Sequence, residues 1–172
     1  PSCTAMATGA ATGPCWSVDL PGTQVLGAAA GAASLLVSTF DGVAPGTDAC
    51  LAALDLRPGA IRWKLMAQRR ITSALAIANR LAISVDRDAV VSARSIETGK
   101  LQWQNPLRAR VPETPTWGIA PAKGQIYIGG GPVGLVALDT TNGMITWASE
   151  GPFLEFQHPV LAAERGRLVA LD

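Results

Sequence analysis

Short apolar runs with near-alternating polar positions, broken by Gly, Asn, Asp and Pro, recur along the whole chain and predict strands rather than helices. One set covers residues 35–40, 81–86, 126–128 and 168–172, and each run but the third ends on or next to an Asp. Upstream of each lies a second run, at 25–30, 71–78, 116–120 and 159–163. Downstream of the first three, the chain repeats without gaps: Ala53-Leu-Asp55-Leu-Arg-Pro58-Gly59-Ala-Ile-Arg-Trp63, Ala93-Arg-Ser95-Ile-Glu-Thr98-Gly99-Lys-Leu-Gln-Trp103, and Ala137-Leu-Asp139-Thr-Thr-Asn142-Gly143-Met-Ile-Thr-Trp147. The common form is Ala-x-[Asp/Ser]-x-x-[Thr/Pro/Asn]-Gly-x-x-x-Trp, with tryptophans 40 and then 44 residues apart.

This form predicts a β-hairpin. The Asp or Ser oxygen accepts backbone N–H bonds across the turn, Gly supplies a positive φ, and the returning strand ends on Trp. Each unit therefore holds four short strands, A to D, in about 40–47 residues, the size of a propeller blade. A lone blade has two exposed apolar faces, so blades must stack, and the Trp closing strand D is suited to fill the wedge between neighbours.

These residues resemble the PQQ-type β-propeller repeat family, the quinoprotein alcohol-dehydrogenase-like fold, whose blades carry a tryptophan-docking motif AxDxxTGKxxW. The copy ending at Trp103 keeps Thr98, Gly99 and Lys100 and departs only at Ser95; the others keep Asp55 and Asp139 but replace the Thr and the Lys. Trp16, Asp55, Gly59, Trp63, Gly99, Trp103, Asp139, Gly143 and Trp147 are the structural motif positions that the resemblance implies. Ala7…Thr12-Gly13-Pro14-Cys15-Trp16 matches the second half of the motif with one residue missing, as if strands C and D of a previous blade open the chain.

The expected fold is all-β, a partial propeller of about 3.5 four-stranded blades. Residues 1–20 end a preceding blade, 21–66, 67–106 and 107–150 form three blades, and 151–172 begin a further one. A ring of six to eight such blades needs roughly 260–350 residues. The 172 residues supply about half of that, so further blades or a second copy are expected to close the ring.

Composition supports this picture. The chain is 48% hydrophobic and only 16% charged, which excludes disorder, and its 18 Gly and 12 Pro argue against a helical bundle. A charge-free stretch at 20–40 has the length of a membrane span, but Pro21, Thr23, Gln24 and three glycines dilute it and no basic residue flanks it, so no span is expected. The opening residues show no basic segment followed by an apolar run, so no signal peptide is expected within them.

A net charge of +1 gives no reason to expect nucleic acid, yet it hides an uneven distribution. Residues 1–56 carry four acidic groups and no Lys or Arg, residues 57–110 eleven basic against three acidic, and residues 111–172 three basic against six acidic. Arg69, Arg70, Arg108 and Arg110 fall in two neighbouring D–A connections, which in a meander emerge on one face together with the B–C turns that carry Asp41, Asp48, Asp86 and Asp88. Such a face either steers an acidic partner or consists of solvated loop charges paired with nearby Asp.

Candidate chemistry is sparse. Cys3, Cys15 and Cys50 form no CxxC pair or haem-attachment signature; Cys3 and Cys15 can bridge in an exported protein, or all three can be small buried side chains. The single His158 excludes a multi-His metal site and has no recognisable nucleophile partner. Gly129-Gly-Gly131 lacks the residues of a phosphate loop and is expected to be a B–C turn. The two carboxylates of the loop at 41–48 lack EF-hand spacing.

The resemblance implies where a cofactor would lie. True quinoprotein dehydrogenases hold PQQ and Ca²⁺ at the ring centre with a Trp stacked beneath the quinone, an Asp as base, and a Glu and an Asn among the metal ligands. Thr116-Trp117-Gly118 followed by Ile126-Tyr-Ile-Gly129 resembles the stacking region, but the Asn of the family's Gly-Asn is missing and no adjacent Cys-Cys pair occurs. The expectation is a non-catalytic, periplasmic or secreted binding scaffold with a protein partner and no cofactor. A PQQ- and calcium-dependent dehydrogenase using Trp117 is the competing reading.

Overall fold

A computed structural model describes residues 16–21, 24–40, 49–67, 71–107, 117–130, 134–149, 160–164 and 167–171. Four strands, β1 (Gln24–Ala30), β2 (Ser34–Phe40), β3 (Ala49–Asp55) and β4 (Ile61–Ala67), pair antiparallel in sequence order. The same order holds for β5 (Ile71–Ala78), β6 (Leu81–Asp86), β7 (Val90–Ser95) and β8 (Leu101–Pro106), and for β9 (Gly118–Ala122), β10 (Gln125–Gly129), β11 (Leu135–Asp139) and β12 (Ile145–Ala148). A two-stranded sheet of β13 (Val160–Glu164) and β14 (Arg167–Leu171) follows. The fold is a partial β-propeller. β4 ends at Ala67, one residue past the boundary read from the sequence, and the charge-free stretch at 20–40 contains the β1–β2 hairpin. Among the described residues no helix is long and apolar enough to cross a membrane.

The first strands of the sheets lie side by side, β1 against β5, β5 against β9 and β9 against β13, so they form the inner row of the arc. Apolar side chains collect between neighbouring sheets. Leu36, Leu51, Ala53, Ile71, Leu75, Ala82 and Ile96 fill the first junction, with Trp63 against them. Ile83, Val85, Val91, Trp103, Trp117, Ile126, Ile128 and Leu138 belong to the second. The core is therefore a series of wedges between neighbouring sheets.

The three C–D hairpins share one construction. Gly59, Gly99 and Gly143 have φ of +70°, +72° and +71°, the region that favours glycine. Their N–H groups donate to the carbonyls of Asp55, Ser95 and Asp139 at 2.9, 2.8 and 2.9 Å. Pairing then slips by one residue, so that Ala53, Ala93 and Ala137 face Trp63, Trp103 and Trp147 while the next residues face Ile61, Leu101 and Ile145. This bulge twists strand D locally and re-aims the Trp.

Candidate functional site

The motif residues converge at the junctions between blades. Trp16 covers Gly59, Trp63 covers Gly99 and Trp103 covers Gly143, each from the preceding blade. A Cβ on those glycines would meet ring atoms at 2.4, 2.8 and 2.3 Å, so the glycine is needed twice, for its φ and for the flat approach of the indole. The indole N–H donates to the carbonyl three residues before the glycine: Leu56 at 3.1 Å, Ile96 at 2.9 Å and Thr140 at 3.0 Å. The N–H groups of those three residues donate to the A–B turn of their own blade, at Ala33, Arg80 and Gly124. One peptide group per blade thus ties its own hairpins together and receives the neighbour's Trp.

Polar contacts reinforce the junctions differently. Between the first and second blades Arg62 donates to Asp55 of its own turn, through Nε at 2.8 Å and through a terminal N–H, and reaches Glu97 of the next blade at 2.9 Å. Arg80 approaches the other Glu97 oxygen at 3.7 Å. Bonding to Asp55 holds the Arg62 guanidinium protonated above its ordinary value, despite partial desolvation. Between the second and third blades, Asn79 donates to Thr140 Oγ1 at 2.9 Å and Asn105 to the Gly143 carbonyl at 2.6 Å. Asp139 accepts from the Thr141 hydroxyl and N–H, which hold its carboxyl below the usual carboxylate range.

Trp147 differs from its three equivalents. It is 39% exposed, against 8% for Trp103, and its ring meets Tyr127 of its own blade at 5.9 Å between centroids. Met144 and Ile145 beside it are exposed as well. The motif predicts a wedge residue here as at the other three positions, and the blade face that would receive it is not among the described residues.

Trp117 lies just before β9 on the inner row. It is 4% exposed within the apolar cluster that contains Trp103, Leu107, Ile126 and Ile128, and its buried indole N–H has no acceptor among the described residues. Among the described residues no three His, Cys, Asp or Glu side chains come together. Cys50 is a free, buried thiol whose pKa is raised by desolvation. Asp86 accepts the N–H groups of Asp88 and Val90 and so caps its own B–C turn. Arg69, Arg70, Arg108, Arg110, Asp41, Asp48, Cys3, Cys15, Gly131 and His158 lie outside the described residues.

The sequence signals missed the carbonyl that receives each indole, because any residue type supplies one: Leu56, Ile96 and Thr140 share only their position. They also missed the Arg62–Glu97 bridge, whose partners lie 35 residues apart.

Known proteins place this architecture. BamB from Moraxella catarrhalis superposes with a TM-score of 0.63 at 22% identity, over 85% of this chain and 46% of its own. The computationally designed Ika4 protein gives 0.69 at 16% identity, over 90% of this chain and 88% of its own. A europium-containing methanol dehydrogenase gives 0.54 at 21% identity, over 77% of this chain and 27% of its own. The chain thus spans less than half the length of the BamB chain it matches. No curated protein matches. A family model described as outer membrane protein assembly factor BamB matches residues 4–172, and with its PQQ-type propeller repeats the chain belongs to that family.

Proposed function

We propose that this chain is part of an exported, non-catalytic propeller that binds protein partners, in the periplasm or outside the cell. The family description, an outer membrane assembly factor, supports both the location and the scaffold role. The observation that carries the reading is Trp117. A quinone platform must present an open ring face several ångströms wide, whereas Trp117 is 4% exposed and surrounded by an apolar cluster. Opening that cluster would expose aliphatic surface at about 25 cal/mol per Å². Trp117 acts here as a core wedge between the second and third blades.

The competing reading is one arc of a PQQ- and calcium-dependent dehydrogenase, favoured only by the fold shared with the methanol dehydrogenase. The test is to incubate the protein with PQQ and Ca²⁺ and follow quinone absorbance and alcohol-dependent dye reduction. The expected result is no retained quinone after gel filtration and no dye reduction. Saturable quinone binding with alcohol-dependent reduction would overturn the scaffold reading.

A further inference from the structure

The two junctions between four-stranded sheets differ in charge. The second is bridged by neutral groups, Asn79 on Thr140 and Asn105 on the Gly143 carbonyl. At the first, the end that carries the A–B and C–D turns holds four cations, Arg62, Arg80, Arg94 and Lys100, and two carboxylates, Asp55 and Glu97. Arg62 engages both carboxylates, while Arg80 reaches Glu97 only at 3.7 Å with its side chain 81% exposed. Lys100 is exposed and pairs with no carboxylate among the described residues.

Arg94 stands where the other two copies of the repeat place leucine, and both of those, Leu54 and Leu138, are fully buried. It pairs across the sheet with Ala82, a member of the first junction's apolar cluster, so its side chain turns toward the first blade. There it is half-buried and donates from one terminal nitrogen to the carbonyl of Gly99, the glycine that Trp63 covers. No carboxylate faces it among the described residues, and desolvation holds its pKa below the ordinary value of an arginine. A guanidinium withdrawn from water without a counter-charge is costly, and its planar fork of N–H donors matches a carboxylate. Leu101, its partner on β8, is 39% exposed, so this side of the hairpin is accessible beside Lys100.

We propose that the mouth of the first junction binds an acidic segment of a protein partner, one carboxylate pairing with the Arg94 fork and neighbouring ones with Lys100 and Arg80. The inference rests on the reading of the chain as a protein-binding scaffold and names the chemistry of the partner. The surplus of cations calls for an anion, and the recessed position of Arg94 selects its source. A carboxylate on a side chain can reach between the first blade and the C–D turn of the second, whereas the plane of a lipid surface meets only the exposed Lys100 and Arg80.

Titration of the 172-residue chain into a fluorescein-labelled peptide of consecutive glutamates, followed by anisotropy, tests it. Saturable binding is expected, weaker at higher salt because the exposed cations are screened, and a glutamine peptide of equal length should not bind. Arg94→Leu installs the residue of the other two copies, so its thermal midpoint should be at least that of wild type. Its peptide affinity should fall about tenfold or more, as for loss of a charge-assisted bidentate pair. Arg94→Lys keeps the charge without the fork and should recover only part of the loss. Lys100→Ala and Arg80→Ala should each weaken binding about twofold and flatten its salt dependence. Absence of binding, binding indifferent to Arg94→Leu, or equally tight Arg94-dependent binding to phosphatidylglycerol vesicles would each overturn the proposal. None of these outcomes involves quinone, so a failure here is distinguishable from the quinone retention and dye reduction that would overturn the scaffold reading.

Discussion

Trp103 and Trp147 occupy the same place in successive repeats and meet opposite fates. Each closes strand D, faces the Ala of its own motif across a bulge and follows a glycine turn at a spacing of four. Trp103 is 8% exposed, lies flat on Gly143 and donates to the Thr140 carbonyl; Trp147 is 39% exposed and meets the Tyr127 ring of its own blade. The local sequence sets the direction of the side chain, and the neighbouring blade sets its burial and its hydrogen bond. The stability of a propeller repeat therefore includes a nearest-neighbour contribution from its junctions as well as the contribution of its own sheet.

The largest effect follows from that asymmetry. Trp103→Ala removes a buried aromatic and its indole hydrogen bond and should cost about 3–5 kcal/mol. Trp147→Ala should stay within about 1 kcal/mol, as for an exposed position. Urea unfolding of the two variants measures the difference. Equal costs would mean that the second junction contributes no more than the open edge.

Glycines separate backbone strain from contact. Gly124 and Gly143 have nearly the same φ, +76° and +71°, but a Cβ on Gly124 meets no atom within 4 Å while one on Gly143 meets Trp103 Cε3 at 2.3 Å. Gly124→Ala should cost about 1–2 kcal/mol from the left-handed backbone alone. Gly143→Ala should cost about 1–3 kcal/mol more, because the ring must shift within a packed wedge. The difference between the two midpoints reads the contact directly, and equal midpoints would assign the glycine to turn geometry only.

How far the sequence reveals this depends on which physical term is local. The strands at 35–40, 81–86 and 126–128 were legible because apolar alternation is a property of the strand itself, and the glycines were legible because a turn needs φ > 0. Gly59 illustrates the limit. Its role as a turn residue can be read from Asp55 and Trp63 nearby, but its role as the seat of Trp16 depends on a residue 43 positions earlier. Trp117 illustrates the same limit from the other side. Its motif context resembles a cofactor platform, while its burial follows from side chains of β6, β7 and β10, which no local pattern links to it.

The smallest expected effect concerns the turn that receives Trp103. Asp139 accepts from Thr141 and so braces the peptide at Thr140, the acceptor of the Trp103 indole. Asp139→Ala should lower the unfolding midpoint by less than Gly143→Ala and quench or shift only the fluorescence of the buried junction. Its pH dependence has a defined sign. The carboxyl's pKa is lowered by the Thr141 bonds, so its contribution is fully present above the ordinary value of 3.8 and is lost as pH falls through the lower folded value. The gap between wild type and variant should therefore be constant from neutral pH down to about 5, shrink as pH falls below 3.8, and level off only below the lower folded value, where both carry an uncharged side chain at this position. A gap that widens in acid would mean that the turn is held by the protonated carboxyl, and that the closed junction does not depend on the charge at Asp139.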